Sequence, residues 1–152
     1  MTAEERLTEL DLELPTLPDP TASFVSYVQS GRIAYVSGHG PIRADGSWIT
    51  GKVGRDLGTD EAYEAARFTG LAVLATIRCH LGSLDRAVRL IKVLGMVNCV
   101  PDFTEQSTVI NGFSDLMIDV FGEAGRHARS AVGVASLPMG IPVEVEVILE
   151  VR

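Results

Sequence analysis

Between Val143 and Val151 the chain alternates, with Val143, Val145, Val147, Leu149 and Val151 at odd positions and Glu144, Glu146, Ile148 and Glu150 at even ones. A period of two sends successive side chains to opposite faces, so this segment predicts a strand whose odd face meets a core. Before it, Ser130 to Ser136 predicts another strand. There Val132 and Val134 alternate against Arg129, Ala131, Gly133 and Ala135, which places the valines toward the core and the small and charged residues away from it. Residues 86–100, rich in valine and leucine, predict a long strand. Phe24 to Gln29 and Ile33 to Ser37 predict a hairpin around Ser30-Gly31-Arg32, and Trp48 to Val53 a short strand after the turn Ala44-Asp45-Gly46-Ser47.

Elsewhere the period lengthens to that of a helix. Ala65, Phe68, Thr69, Leu71, Ala72, Ala75 and Ile77 form a broad apolar stripe. It opens at Thr59 with Asp60 and Glu61, which suit the positive end of the helix dipole, and stops at Gly82. Thr104 to Gly122 repeats the pattern through Val109, Phe113, Leu116, Met117 and Val120. A short helix over residues 3–12 is capped by Thr2, and Pro15, Pro18 and Pro20 hold the adjoining segment as an extended arm. This divides the chain into an N-terminal helix and arm, 1–20, and a single domain, 21–152. The element order predicts an α+β sandwich, a mostly antiparallel sheet with two main helices on one face. Ile33 and Ile148 make the other face too apolar to meet water, so a symmetric oligomer is expected to cover it.

Composition narrows the class. Apolar residues make up 46% of the 152 and charged ones 22%, the profile of a soluble globular domain. A net charge of −7 argues against nucleic acid as a partner, since phosphates call for a basic surface, but leaves room for a small anion in a local basic pocket. Cys79 and Cys99 have no metal-ligand spacing and read as two buried free thiols in a reducing cytoplasm. The N-terminus is too acidic and polar for a signal peptide, and the apolar run Leu71–Ile77 is too short for a membrane span.

Two residues stand out chemically. Arg129 opens one C-terminal strand with a permanently charged planar fork that fits a carboxylate, and Glu144 opens the next with a carboxylate able to activate water. A tight LPMGIP connection makes these strands run in opposite directions. That puts the two residues near opposite ends, roughly 20 Å apart at ~3.3 Å per residue, and suggests that each cleft takes them from different subunits. His127 is a candidate general base or a loop-bonding rim residue, and His39 in SGHG borders a possible pocket. His80 sits where a helix ends and suits its dipole. SGHG lacks the lysine and helix start of a phosphate loop.

YVSGHGPI (35–42), GTDEAYEAA at the first long helix, the element ending in Ile110-Asn111 and, above all, HARSAVGVASLPMGIPVEVE resemble the Rid family of reactive-intermediate deaminases. That family is also called YjgF-like and is often labelled endoribonuclease L-PSP. The resemblance runs from about Ser23 onward. It implies a chorismate-mutase-like fold and a homotrimer with three inter-subunit clefts. It also implies hydrolysis of small carboxylate-bearing enamines or imines to 2-keto acids and ammonia, with no cofactor and no metal. By position, Arg129 would hold the substrate carboxylate and Glu144 would orient the attacking water. Phe24, Ser37, Gly38, Asn111, Ser130 and Ala131 would line the pocket. The chain departs from the family where Phe24 replaces a tyrosine and Ala131 a cysteine. These departures keep open a non-catalytic trimeric binder of 2-keto acids or related carboxylates; an endoribonuclease fits the acidic charge least.

Overall fold

The odd face of the last strand is the floor of the core. In the computed structural model, which describes residues 1–152, Val143, Val145, Val147, Leu149 and Val151 are all buried. The elements in chain order are α1 (Ala3–Glu9), β1 (Tyr27–Ser30), β2 (Ile33–His39), α2 (Thr59–Leu81), β3 (Ala87–Asn98), α3 (Gln106–Phe121), β4 (Ala128–Val134) and β5 (Val143–Val151). The strands form one sheet in the order β1-β2-β5-β3-β4. Every neighbouring pair is antiparallel except β3 and β4, which run parallel. That parallel step follows from α3, which carries the chain from the end of β3 back to the start of β4 as a β-α-β crossover.

Both long helices lie on the odd face of β5. Ala65, Val73 and Ile77 of α2 and Val109, Phe113 and Leu116 of α3 join the strand valines in one core of 28 buried residues. Gly82 ends α2 in the left-handed conformation, φ 83°, and donates its N–H to the Arg78 carbonyl. Thr2 caps α1 in a reciprocal box with Glu5, and α1 buries Leu7 in the same core. The α+β architecture expected from the pattern is therefore the one observed.

Three local expectations are corrected. The first strand begins at Tyr27 rather than Phe24, leaving Phe24 outside the sheet. Trp48 to Val53 forms only isolated bridges, Ile42 with Trp48 and Val53 with Leu57 and Cys99, because Gly51 (φ 130°) and Gly54 (φ 90°) bend the backbone out of any ladder. The third correction concerns β4, whose faces are reversed from the expectation. Arg129 pairs with the buried Val93, so Arg129, Ala131 and Gly133 lie under α3 while Ser130 and Val132 face outward. Small residues are needed there because α3 approaches closely: a Cβ on Gly133 would meet Cys99 Sγ at 2.8 Å and Gln106 Nε2 at 3.0 Å.

The face away from the helices is uncovered. Val28, Tyr35 and Val132 are 53%, 49% and 41% exposed, and a shallow depression there is lined by Leu94, Ser130, Glu146 and Ile148. No helix is long and apolar enough to cross a membrane.

Candidate functional site

Glu144 enters the site because Gly38 makes room for it. The β2–β5 ladder is irregular between Val36 and His39, and Gly38 there lies directly beneath the Glu144 side chain. A Cβ at Gly38 would sit 2.5 Å from Glu144 Oε2. The carboxylate has no hydrogen-bond or ion-pair partner, yet no buried side-chain oxygen in the chain is left unsatisfied, so its oxygens face open space. Burial pushes its pKa up, and the nearby Glu146 adds to the rise.

That open space is a cleft of about 400 Å³ at the end of β2, where the strand outruns β1. Phe24, Ser37, Trp48, Met139 and the arm residues Leu17 and Pro18 are among its walls. Ser37 anchors the wall that carries Phe24, its hydroxyl donating to the Val25 carbonyl at 2.6 Å and its N–H to the Ser26 carbonyl at 3.0 Å. His39 points the other way, into the protein. Its Nδ1 lies 2.6 Å from the Ser37 carbonyl and its Nε2 2.7 Å from Thr76 Oγ1 on α2. A carbonyl only accepts, so Nδ1 carries the proton and Nε2 accepts from the Thr76 hydroxyl. Burial lowers the His39 pKa, which agrees with a neutral ring.

Arg129 sits in a second group of residues, on the other side of the sheet. α3 presents Ser107, Asn111 and Ser114 at intervals of four and three residues, a polar stripe on one helix face. Arg129 Nη1 donates to Asn111 Oδ1 at 2.9 Å and to Ser114 Oγ at 3.0 Å, and Nη2 donates to Ser107 Oγ at 2.7 Å. Each of these acceptors is neutral. Arg129 makes no salt bridge, and burial lowers its pKa against the weaker opposing pull of Asp115. The fork is thus held in place with its charge unneutralised.

His127 completes this group. Its Nδ1 lies 2.7 Å from the Gly125 carbonyl and its Nε2 2.9 Å from Ser114 Oγ. The same reasoning fixes its tautomer: Nδ1–H donates to Gly125, and the Ser114 hydroxyl donates to Nε2. Ser114 is thereby left with its lone pairs for Arg129. The His127 pKa is lowered by burial first and by the Arg129 charge as well, in keeping with a neutral acceptor ring.

The residues singled out from the sequence therefore fall into two groups. Phe24, Ser37, Gly38, His39 and Glu144 surround one cleft, and Asn111, His127 and Arg129 are linked through hydrogen bonds. Ser130 belongs to neither, facing the open sheet, and Ala131 packs against the core beneath α3. Sequence reasoning does not find Ser107, Ser114 or Trp48. The serines are readable as a polar stripe on an otherwise apolar helix; nothing marks the Trp48 ring as a cleft wall.

The distance between the groups also differs from expectation. β4 and β5 do run in opposite directions, but β3 lies between them. Arg129 pairs with Val93 and Glu144 with Met96, three residues along the same strand. At ~3.3 Å per residue and ~4.8 Å per strand the backbones are roughly 14 Å apart rather than 20 Å. Their side chains, however, leave opposite faces of the sheet.

Fold and residues together place the chain in a class of small α+β proteins. It belongs to the YjgF/chorismate mutase-like family, described as "YjgF/chorismate_mutase-like, putative endoribonuclease", whose pattern it matches over residues 4–150. It is 47% identical over 147 residues to Protein TCP17 of Trypanosoma cruzi, covering 96% of this chain and 92% of the relative. Atu1372 of Agrobacterium tumefaciens, a solved structure of unknown function, is 43% identical with a TM-score of 0.90, covering 99% of this chain and 94% of that one. A solved structure from Shewanella oneidensis is 29% identical with a TM-score of 0.95, covering 99% and 100%.

Proposed function

We propose that the protein hydrolyses small carboxylate-bearing enamines or imines to 2-keto acids and ammonia, in clefts shared between the subunits of a homotrimer. The observation that carries this reading is a pair of uncompensated charges: Arg129 has no carboxylate partner and Glu144 has no cation. Within one chain they leave opposite faces of the sheet. The exposed apolar face over Val28, Tyr35 and Val132 supports a seat for a neighbouring copy, and with it a cleft in which one subunit's Arg129 faces another's Glu144. Two free cysteines, one of them exposed, suit a reducing cytoplasm as the place of action.

In this reading Arg129 holds the substrate carboxylate and Glu144 works on water. The water oxygen bonds to the imine carbon, and Glu144 relays one water proton to the nitrogen. On collapse of the carbinolamine the hydroxyl proton follows the same route, a C=O bond forms, and the C–N bond breaks to release ammonia. Both water protons end on nitrogen, so atoms balance with no cofactor or metal taking part. Burial raises the Glu144 pKa, which favours the uptake of the proton it then passes to nitrogen.

The test is to generate 2-iminobutyrate in situ and follow the 2-keto acid and free ammonia. Acceleration by the protein that is lost in Arg129→Ala is the expected result. No acceleration, with tight carboxylate binding retained, would leave a non-catalytic binder, a reading that the missing hydroxyl at Phe24 favours.

A further inference from the structure

We infer that the substrate carries a bulky apolar side chain, received by a wall of Trp48, Met139 and the N-terminal arm beside Glu144. The inference rests on the deaminase reading for its reaction, though not for its binding. Two glycines set the geometry. Gly38 lies under the Glu144 carboxylate, and at Gly40 a Cβ would meet Ile141 Cδ1 at 2.7 Å and Trp48 Cζ3 at 3.2 Å. Two residues of extended chain separate them, about 7 Å at ~3.3 Å per residue. A reacting carbon held at Glu144 thus sends its side chain onto the indole within the length of a leucine or phenylalanine side chain.

Volume and charge agree. About 400 Å³ lies in the range that accommodates drug-sized ligands, far more than a three-carbon imino acid fills. Leu17, Pro18, Phe24 and Met139 add to the apolar wall around the indole. The lining contains no lysine or arginine, and its ionisable groups besides His39 are Asp19 and Glu144. With the neighbour's Arg129 taken by the first carboxylate, a second acidic group on the substrate would meet like charge on this chain's wall. His39 offers no free nitrogen to a substrate carboxylate, because Ser37 and Thr76 engage both.

The chain's single tryptophan is Trp48, so its fluorescence reports directly on this wall. The experiment has two arms. In the first, imines are generated by an amino-acid oxidase from alanine, leucine, glutamate and arginine, and the protein's acceleration of 2-keto acid formation is compared. In the second, pyruvate and 4-methyl-2-oxopentanoate are titrated against Trp48 fluorescence. The leucine-derived imine is expected to exceed the alanine-derived one by ~10-fold or more in kcat/KM, the scale of a few methylenes in an apolar pocket. Trp48→Ala should bring that ratio toward one. Met139→Ala should lower it as well, and since Met139 is 61% exposed its truncation leaves the fold intact.

Equal or greater acceleration for the alanine-, glutamate- or arginine-derived imine would overturn the inference while leaving the deaminase reading in place. If no imine is accelerated but 4-methyl-2-oxopentanoate perturbs Trp48 at ~10-fold lower concentration than pyruvate, the reaction fails and the cleft's selectivity stands. Equal fluorescence responses to the two keto acids would overturn the selectivity itself.

Discussion

The Glu144 carboxylate rests on Gly38 so closely that no side chain fits between them, a Cβ there falling 2.5 Å from Oε2. The atom in the way is the far end of a flexible side chain, and Gly38 does not have a positive φ. Gly38→Ala should therefore move the carboxylate without straining the backbone. The expected result is a ~10- to 100-fold loss of activity, the penalty of about 1 Å of misplacement, with Tm changed by less than ~2 °C. Paired activity and thermal-unfolding measurements separate the two effects, and a large loss of stability would show that Gly38 serves the fold instead.

Glu144 also makes a stability prediction with a definite sign. Its pKa within a single folded chain is raised, so folding of that chain favours the protonated form and its stability is lost as pH rises from the ordinary value of 4.5 through the folded one. Glu144→Gln removes that cost. The variant should melt ~1 °C or more above the wild type at pH 8, and the difference should vanish near pH 4. Activity should fall at the same time, because an amide cannot carry the proton. A Tm gap that persists at pH 4 would mean that the ionised carboxylate is not its source.

Much of this is readable in the sequence, and the remainder is hidden for a physical reason. Alternation in Val143–Val151 locates the central strand and its buried face, since one residue's slip would expose every valine. The same rule fails for β4, where it places valine inward and arginine outward. At an edge strand beneath a closely packed helix, Gly133 and Ala131 mark the crowded face, while Val132 belongs to the exposed one. Resemblance to the family singles out both Glu144 and Gly38. It singles out Asn111 among the acceptors of Arg129 but not the other two, because Ser107 and Ser114 become its partners only once β4 docks parallel to β3 under α3.

The guanidinium spans three acceptors on α3, a task for a planar fork rather than a point charge. Arg129→Lys should keep the positive charge but retain less than ~10% of carboxylate affinity, as read by titration calorimetry. Ser114→Ala removes one acceptor and should weaken binding by only a few-fold, since Asn111 and Ser107 still hold the fork. Lysine binding as tightly as arginine would show that charge alone suffices.

His39 and His127 are both held neutral, with pKa values lowered chiefly by burial. A histidine whose folded pKa is depressed contributes stability above its unfolded value, near 6.5, and loses it as pH falls through the folded value. Stability should therefore decline below pH 6.5. Proton NMR of the three histidines should show these two titrating below 6.5 with the proton on Nδ1. His127→Phe should flatten part of the decline, and titration of His127 at or above 6.5 would contradict the hydrogen-bond direction inferred through Ser114.

Arg129 and Glu144 leave opposite sheet faces, so the proposed reaction requires assembly, and mixing inactive chains tests it. Arg129→Ala and Glu144→Ala should each be inactive alone while still assembling, which sedimentation would check. Refolded together in equal amounts, they place an intact arginine opposite an intact glutamate wherever one chain of each kind meets in the right order. Random assortment makes about a quarter of the clefts complete, so activity should return to roughly a quarter of the wild type. A cleft built within one chain predicts no recovery at any ratio. Mixed trimers that form and stay inactive would assign both residues to the same subunit's site, against the register of β3 with β4 and β5.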